Sequence, residues 1–291
     1  MRAYAKVNLT LDVLGKRSDG FHDIESVMQT ISLHDTITLS VGGELGIRVT
    51  CDMPEIPTGE ANLAYKAASL FFEKQGVSTG LDIRIEKRIP PEAGFGGGSS
   101  DAAAVLRGLS WLLKREGVPK AFGTAEPLKL MDLAAQVGSD VPFFLVGGTT
   151  LVRGRGEDVI PLLDIPTWWL VIVKPPFGVS TAWAYSRLDE VVRHPSPAVR
   201  EKQGVSECLP SLLHNDLELP AVEQHPEIAE IKEALLQVGA QGALMCGSGS
   251  AVFGLFEDES AACAAMKQLC EQAGDIFVAK TITRAEALEL D

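Results

Sequence analysis

No stretch of the 291 residues is apolar for long enough to cross a bilayer, which takes about 18 or more consecutive apolar residues. The opening Met1-Arg-Ala-Tyr-Ala-Lys6 also lacks the apolar core of a secretory signal. Neither a membrane partner nor export is therefore expected. The cysteines are five, an odd number: Cys51, Cys208, Cys246, Cys263 and Cys270, with no CxxC spacing. That pattern indicates neither a disulfide framework nor a zinc site, and it fits a reducing cytoplasm. Basic residues are scarce, 26 Lys and Arg against 39 Asp and Glu, for a net charge of −13. Such a balance argues against a nucleic-acid surface. The deficit is uneven. Residues 1–160 hold 17 basic and 20 acidic side chains, while residues 161–291 hold 9 and 19. Anionic ligands are thus better tolerated by the first half. Repeats and low-complexity segments are also missing. What remains is a composition 46% apolar and 22% charged, that of a globular chain, with length enough for two domains at roughly 100–200 residues each.

The most informative stretch is Ile89-Pro-Pro-Glu-Ala-Gly-Phe-Gly-Gly-Gly-Ser-Ser-Asp101. Before it, Leu81, Ile83, Ile85 and Ile89 alternate with Asp82, Arg84, Glu86 and Arg88, the period of a half-buried strand. After it, the spacing of Val105, Leu106, Leu109, Leu112 and Leu113 predicts a helix over 102–116, capped by Ser99, Ser100 or Asp101. Lys114 and Arg115 fall in its last turn, and Gly117 and Pro119 stop it. Gly94, Gly96, Gly97 and Gly98 lie between strand and helix. Glycines admit a ligand close to the backbone, and the free N–H groups of a helix start favour an anion. A phosphate is the natural occupant; a tight turn that binds nothing is the plain alternative. Spelling excludes better-known motifs. No Lys follows the glycines, as GxxxxGK[ST] requires, and GxGxxG from Gly94 ends on Ser99 instead of glycine. The nucleophile elbow GxSxG fails because Asp101 stands two places after Ser99.

Along the chain, residues 3–14 read as a strand with Val7, Leu9, Leu11 and Val13 on one face and Lys6, Asn8 and Thr10 on the other. A turn with Lys16, Arg17, Phe21 and His22 follows. Residues 31–41 form a second strand, with 47–51 as a possible neighbour, and 62–75 a helix ended by Gly76. Residues 119–126 read as a loop and 128–137 as a short helix. Gly138-Ser-Asp-Val-Pro-Phe-Phe-Leu145 places one carboxylate, Asp140, ahead of a proline; a bare turn cap is its plain reading. Further strands are expected at 149–153, 168–174, 251–256 and 276–283, and helices after Thr181 and at 223–238 and 259–272. Residues 195–209 read as a mobile, turn-rich loop.

The spelling P-x-x-x-G-F-G-G-G-S-S-D from Pro90 resembles the phosphate loop of the GHMP kinases, with Phe95 in place of the common Leu. The run Ala5-Lys-Val-Asn-Leu-Thr-Leu11, continued through Gly20-Phe-His22, is similar to one branch of that family, which usually has Tyr at the place of Phe21. That branch phosphorylates the 2-hydroxyl of a cytidine-diphosphate-linked methylerythritol on the non-mevalonate route to isoprenoids. Gly138–Leu145, the Val179-Ser-Thr181 to Tyr185 segment and Asn215-Asp-Leu-Glu218 match further family runs. So does Gly242-Ala-Leu-Met-Cys-Gly-Ser-Gly-Ser250, where Cys246 replaces a Ser.

The resemblance implies an α+β fold in two domains. Residues 1–160 would resemble ribosomal protein S5 domain 2, and residues 161–291 a ferredoxin-like sandwich, with ligands between them. It implies ATP held by Pro90, Gly94, Gly96, Gly97, Gly98, Ser99, Ser100 and Asp101, with Ser100 touching Mg²⁺. It makes Asp140 the proton acceptor and Lys6 its partner, and gives Asn8, Phe21, His22, Thr181 and Tyr185 to the acceptor substrate. Phe21 and Tyr185 would hold the pyrimidine, with His22 at its edge. The partners are then small molecules, in a monomer or homodimer. A GHMP kinase of the mevalonate or homoserine type is the alternative. A catalytically dead GHMP-fold interaction protein should have lost Lys6 or Asp140, and a nicotinamide oxidoreductase is disfavoured by the failed GxGxxG.

Overall fold

A computed structural model describes residues 1–76, 78–113, 130–190, 209–269 and 274–289. The expected loop at 119–126, the stretch 195–208 and the ends of the helices expected to reach 116 and 272 lie outside these residues. No helix among the described residues is long and apolar enough to cross a membrane.

Two long alternating strands form the frame, β1 (Arg2–Lys16) and β2 (His22–Val41), paired antiparallel. β3 (Gly46–Cys51) precedes α1 (Leu63–Gln75), which Asn62 caps through the Ala64 N–H and Gly76 ends in the left-handed conformation. β4 (Gly80–Glu86) then lies between β2 and β3, antiparallel to the first and parallel to the second. The expected pairing of 47–51 with 31–41 is therefore replaced by a β3–α1–β4 crossover, as parallel neighbours require. α2 (Gly97–Leu113), α3 (Leu130–Val137) and α4 (Val141–Val146) cover the sheet. β5 (Thr149–Gly154) returns to β2, and β6 (Asp158–Pro161) pairs with β5.

The chain then builds a second sheet. β7 (Trp169–Lys174) leads to α5 (Thr181–Glu190), α6 (Leu209–Leu212), β8 (His214–Asn215), α7 (Glu218–Gln224) and α8 (Glu227–Gln237). The single helix expected over 223–238 is two, divided at Pro226, which cannot donate to the preceding turn. β9 (Gly242–Met245), β10 (Val252–Phe256), α9 (Glu259–Leu269), β11 (Asp275–Lys280) and α10 (Arg284–Leu288) complete the chain. The last strand stops at Lys280 because Thr283 and Glu286 form a capping box that starts α10. The sheet order is β11-β7-β10-β9, which in chain order is fourth, first, third, second. That is the ferredoxin-like order within an α+β protein.

The second sheet uses only residues after 161, yet two pieces of that half return to the first sheet. β8 pairs in parallel with β1 through Thr10–His214 and Leu11–Asn215, and Thr281 bridges to Ile31. The apolar interior is shared likewise: Val7, Leu9 and Val27 of the first sheet pack in one cluster with Ile172, Phe253 and Leu255 of the second. Phe253, fully buried in that cluster, is expected to cost about 3–5 kcal/mol when cut to Ala. Because the cluster joins both sheets, calorimetry of Phe253→Ala should show one unfolding transition shifted as a whole. A second, unshifted transition would mean that the sheets unfold independently.

Candidate active site

A cleft of about 1160 Å³ opens between the two sheets. Its floor comes from β1, and a bulge sets which side chains reach it. Leu9 is the extra residue between the Asn8–Met28 and Thr10–Val27 pairs. Lys6 and Asn8 face the cleft as the alternation predicts, but beyond the bulge Leu11 lines it in place of Thr10. Thr10 instead accepts the Val27 N–H through Oγ1. Lys6 Nζ donates to Asn8 Oδ1 at 2.7 Å, Asn8 Nδ2 to Ser26 Oγ at 2.8 Å, and Ser26 Oγ to the Thr10 carbonyl at 2.5 Å. This buried chain fixes the ammonium.

The ammonium stands 3.9 Å from the Asp140 carboxylate. Asp140 occupies the position before α4, with Pro142 in the first turn, but its side chain makes no capping hydrogen bond. The carboxylate is thus not spent on the turn. Lys6 is almost wholly buried and Asp140 about one-third exposed, so a solvent-facing carboxylate oxygen is held beside a fixed cation.

The glycine loop meets this pair from above. The Lys6 N–H donates to the Phe95 carbonyl, and Phe95 itself is buried in the shared core. α2 begins at Gly97, not near Ala102, so Gly97, Gly98, Ser99 and Ser100 form its first turn. The orphan N–H groups of a helix are those of its first residues, here the glycines themselves. Ser99 lines the cleft, whereas Ser100 is buried and donates its hydroxyl to the Tyr4 carbonyl. The expected Ser100 contact to Mg²⁺ is therefore not available in this arrangement. Asp101 is not a cap either: it is buried and ion-paired to Lys87, which also pairs with Asp35. A Cβ on Gly97 would meet Ile89 and Lys87 beneath the loop, at 3.0 and 3.2 Å; packing against these side chains favours glycine there.

From the second sheet, the turn between β9 and β10 reaches the same point. Gly94, at φ +85°, has no room for a Cβ, which would sit 1.9 Å from the Cys246 carbonyl. Cys246 Sγ is 3.3 Å from the Gly94 carbonyl, and burial pushes the thiol up to about 11, so it stays a neutral donor. Asn215 holds this turn from the other side, its Nδ2 donating to the carbonyls of Met245 and Gly247 at 2.9 and 2.7 Å. Ser248 and Thr181 hydroxyls are hydrogen-bonded at 2.9 Å, tying the turn to α5.

At the far end of the cleft, His22 stacks on Tyr185, with ring centroids 4.9 Å apart and planes 25° apart. The ring on Tyr185 is thus His22's, while Phe21 sits half exposed at the rim with the Arg155 guanidinium 5.1 Å from its centroid. Burial, with the Asp140 charge behind it, raises the Tyr185 hydroxyl above its ordinary value. His22 Nε2 lies 2.8 Å from Asp189 Oδ1, and Asp189 Oδ2 accepts from Lys16 at 3.0 Å. A carboxylate can only accept, so Nε2 carries the proton and Nδ1 of a neutral ring is left as an acceptor. The hydrogen bond from His22 first, and then the one from Lys16, hold the Asp189 carboxyl below its usual range. Sequence reasoning missed Asp189. The signal was its spacing, four residues after Tyr185 and eight after Thr181, on one face of a helix.

Pro90, Gly94, Gly96, Gly97, Gly98 and Ser99 therefore line the same cleft as Lys6, Asn8 and Asp140, and so do Phe21, His22, Thr181 and Tyr185. Among the described residues, no group of three Asp, Glu, His or Cys side chains converges at the glycine loop. The one such group is Asp12, His214 and Asp216, where β8 joins β1.

Known proteins place this architecture. A family model described as "GHMP kinases N terminal domain" matches residues 62–148, and one described as "GHMP kinases C terminal" matches residues 198–275. A 4-diphosphocytidyl-2-C-methyl-D-erythritol kinase from Acetivibrio thermocellus is 42% identical over 289 residues, covering 97% of this chain and 98% of that one. A protein of the same name from Pelotomaculum thermopropionicum is 47% identical, with 88% of each chain covered. A crystal structure of 4-(cytidine 5'-diphospho)-2C-methyl-D-erythritol kinase superimposes with a TM-score of 0.80 at 36% identity, over 97% of this chain and 98% of that one. Homoserine kinase from Cytophaga hutchinsonii, at 21% identity and a TM-score of 0.68, shares the fold. The chain belongs to the GHMP kinases, ATP-using enzymes that phosphorylate an alcohol group.

Proposed function

We propose that this kinase transfers the γ-phosphoryl group of ATP to the 2-hydroxyl of 4-diphosphocytidyl-2-C-methyl-D-erythritol, an isoprenoid precursor. The observation that carries the reading is the uncapped Asp140 carboxylate, 3.9 Å from a Lys6 held by Asn8, at the junction of two glycine turns. Phosphoryl transfer asks the protein mainly for alignment, charge neutralisation and a proton acceptor. The N–H groups of Gly97, Gly98 and Ser99 seat the ATP phosphates. Asp140 takes the proton from the acceptor hydroxyl as its oxygen bonds to the γ-phosphorus and ADP departs. Lys6 offsets the charge gathering on the transferred group. Mg²⁺ commonly arrives on nucleotide phosphates with one or two protein oxygens; the cleft-facing Ser99 hydroxyl and Asp140 carboxylate suit that, and the ion would neutralise phosphate charge.

The acceptor's cytosine lies against Phe21 and Tyr185, beside His22. An acceptor nitrogen on His22 suits the exocyclic amine of cytosine, a donor, and disfavours the carbonyl that uracil carries there. Mevalonate and homoserine have no ring for these aromatics to hold. The reading is tested by phosphate transfer from ATP to a panel of alcohols, in which the cytidine-linked polyol should be the substrate used.

Asp140→Asn should fold normally and bind an ATP analogue, with turnover lowered about 10²–10⁴-fold, the usual worth of a general base. Turnover within a few-fold of wild type would remove Asp140 from the chemistry. Tyr185→Leu should weaken free CDP by roughly 5- to 150-fold, the equivalent of about 1–3 kcal/mol of stacking, and leave ADP nearly untouched. Calorimetric titration of both nucleotides decides it; equal losses would move the cytidine site elsewhere.

A further inference from the structure

A cytidine-linked polyol carries a negatively charged diphosphate bridge between its base and its reacting alcohol. In the cleft that bridge would run from the end at Phe21 and His22 toward Asp140, and its charge calls for a cation on the way. Among the described residues, four cationic side chains line the cleft: Lys6, Lys16, Lys87 and Arg155. Three are already committed. Lys6 donates to Asn8 and pairs with Asp140, Lys16 holds Asp189 at 3.0 Å, and Lys87 is buried between Asp35 and Asp101.

Arg155 is held more loosely. Its guanidinium is one-third exposed, and the carboxylate paired with it, Glu157, stands 3.7 Å from Nε, beyond hydrogen-bonding range. Asp19, whose carboxyl also feels the Arg155 charge, is already hydrogen-bonded to Arg17 and to the Phe21 N–H. The turn that carries Arg155 is fixed on both sides. Gly154 pairs with Ile24, two residues from His22. The Arg155 N–H donates to Glu157 Oε2 at 2.6 Å. Gly156, at φ +124°, comes so close to the residue before Asp140 that a Cβ would sit 2.7 Å from the Ser139 carbonyl oxygen. The guanidinium itself lies 5.1 Å from the Phe21 ring centroid. Arg155 thus has its backbone beside the turn of the reacting carboxylate and its charge beside the cytidine end.

We propose that Arg155 binds the diphosphate bridge of the acceptor, exchanging its loose pairing with Glu157 for the phosphate oxygens. The inference rests on the reading that a cytidine-linked acceptor occupies this cleft. A guanidinium presents parallel N–H donors that match phosphate oxygens two at a time, which an ammonium does not. Such a grip also sets how far the reacting alcohol lies from the base. Mevalonate and homoserine carry no diphosphate for Arg155 to hold, so the residue adds to the preference for the larger acceptor. The nucleotide's phosphates, seated at the glycine loop, should not depend on it.

Calorimetric titration of CDP and of ADP into the full chain, at low and at high salt, tests the contact in wild type and in Arg155→Gln. At low salt the variant is expected to bind CDP about 10-fold or more weakly, the worth of losing charge-assisted hydrogen bonds, and ADP within about twofold of wild type. The CDP gap should narrow at high salt, because screening weakens a part-exposed charge contact in wild type and the variant has none to lose. A CDP affinity within about twofold of wild type overturns the proposal, and so does an equal loss for ADP. A gap that stays the same at both salts also overturns it, since Arg155 would then act by supporting the Phe21 ring. A wild type whose CDP affinity ignores salt does so too, with no variant required to fold. If CDP does not bind wild type at all, the cytidine reading falls and this proposal with it; CDP binding that ignores Arg155 overturns this proposal alone.

Discussion

The closest constraint in the molecule is the meeting of two backbones. Gly94 lies so near the Cys246 carbonyl that no side chain fits, and the two turns come from different sheets. Everything around them holds that approach. The Lys6 N–H fastens the first turn to β1, Asn215 fastens the second to β8, and β8 pairs with β1 in turn. The loop of hydrogen bonds closes on itself. An apolar cluster shared by the two sheets lies behind it, so the halves are poorly suited to drifting apart. For a reaction that needs phosphates and an acceptor hydroxyl in line, a fixed junction supplies part of the alignment before either ligand arrives.

Charge is distributed to the same end. The half with more acidic surface contributes glycine and hydroxyl groups to the junction, while Lys6 and the start of α2 come from the more balanced half. Lys6 is buried, and its ammonium donates to Asn8 while pairing with Asp140. A buried ammonium is tolerable only with such partners. Because the Asp140 carboxylate is only part-buried and makes no capping bond, it can accept from a ligand without first breaking a turn.

Much of this was legible in the sequence where one residue type has few physical uses. Four glycines between a strand pattern and a helix pattern mark a close approach, and the period of two along β1 put Lys6 beside Asn8. Other features were hidden for stated reasons. Leu9 and Thr10 alternate correctly, so the bulge that brings Leu11 to the cleft is set by pairing with β2 and leaves no trace in β1. Gly97 and Gly98 are poor helix formers, so the pattern started α2 near Ala102; packing of Gly97 on Ile89 and Lys87 overrides propensity. Asp35 and Lys87 drew no reading from the sequence, and Asp101 read as a helix cap and part of the phosphate loop, so the burial of all three together, which tertiary contacts bring about, was not legible. Pro226, by contrast, was visible, and the helix expected across it gave periodicity too much weight.

The helix α5 shows how a binding preference can be carried by one face. Thr181, Tyr185 and Asp189 recur every four residues: the first bonds to the Ser248 hydroxyl, the second stacks on His22, the third holds that imidazole's Nε2. The stack and the hydrogen bond act on one ring from two directions, so its plane and its tautomer are set together. Lys16 from β1 takes the other oxygen of Asp189, which makes the end of the first strand part of the same arrangement. A base lying beside His22 would meet a ring whose free nitrogen is already an acceptor, with no tautomer change needed on binding. Because α5 belongs to the second half of the chain and His22 to the first, that readiness depends on the same fixed junction that positions Asp140.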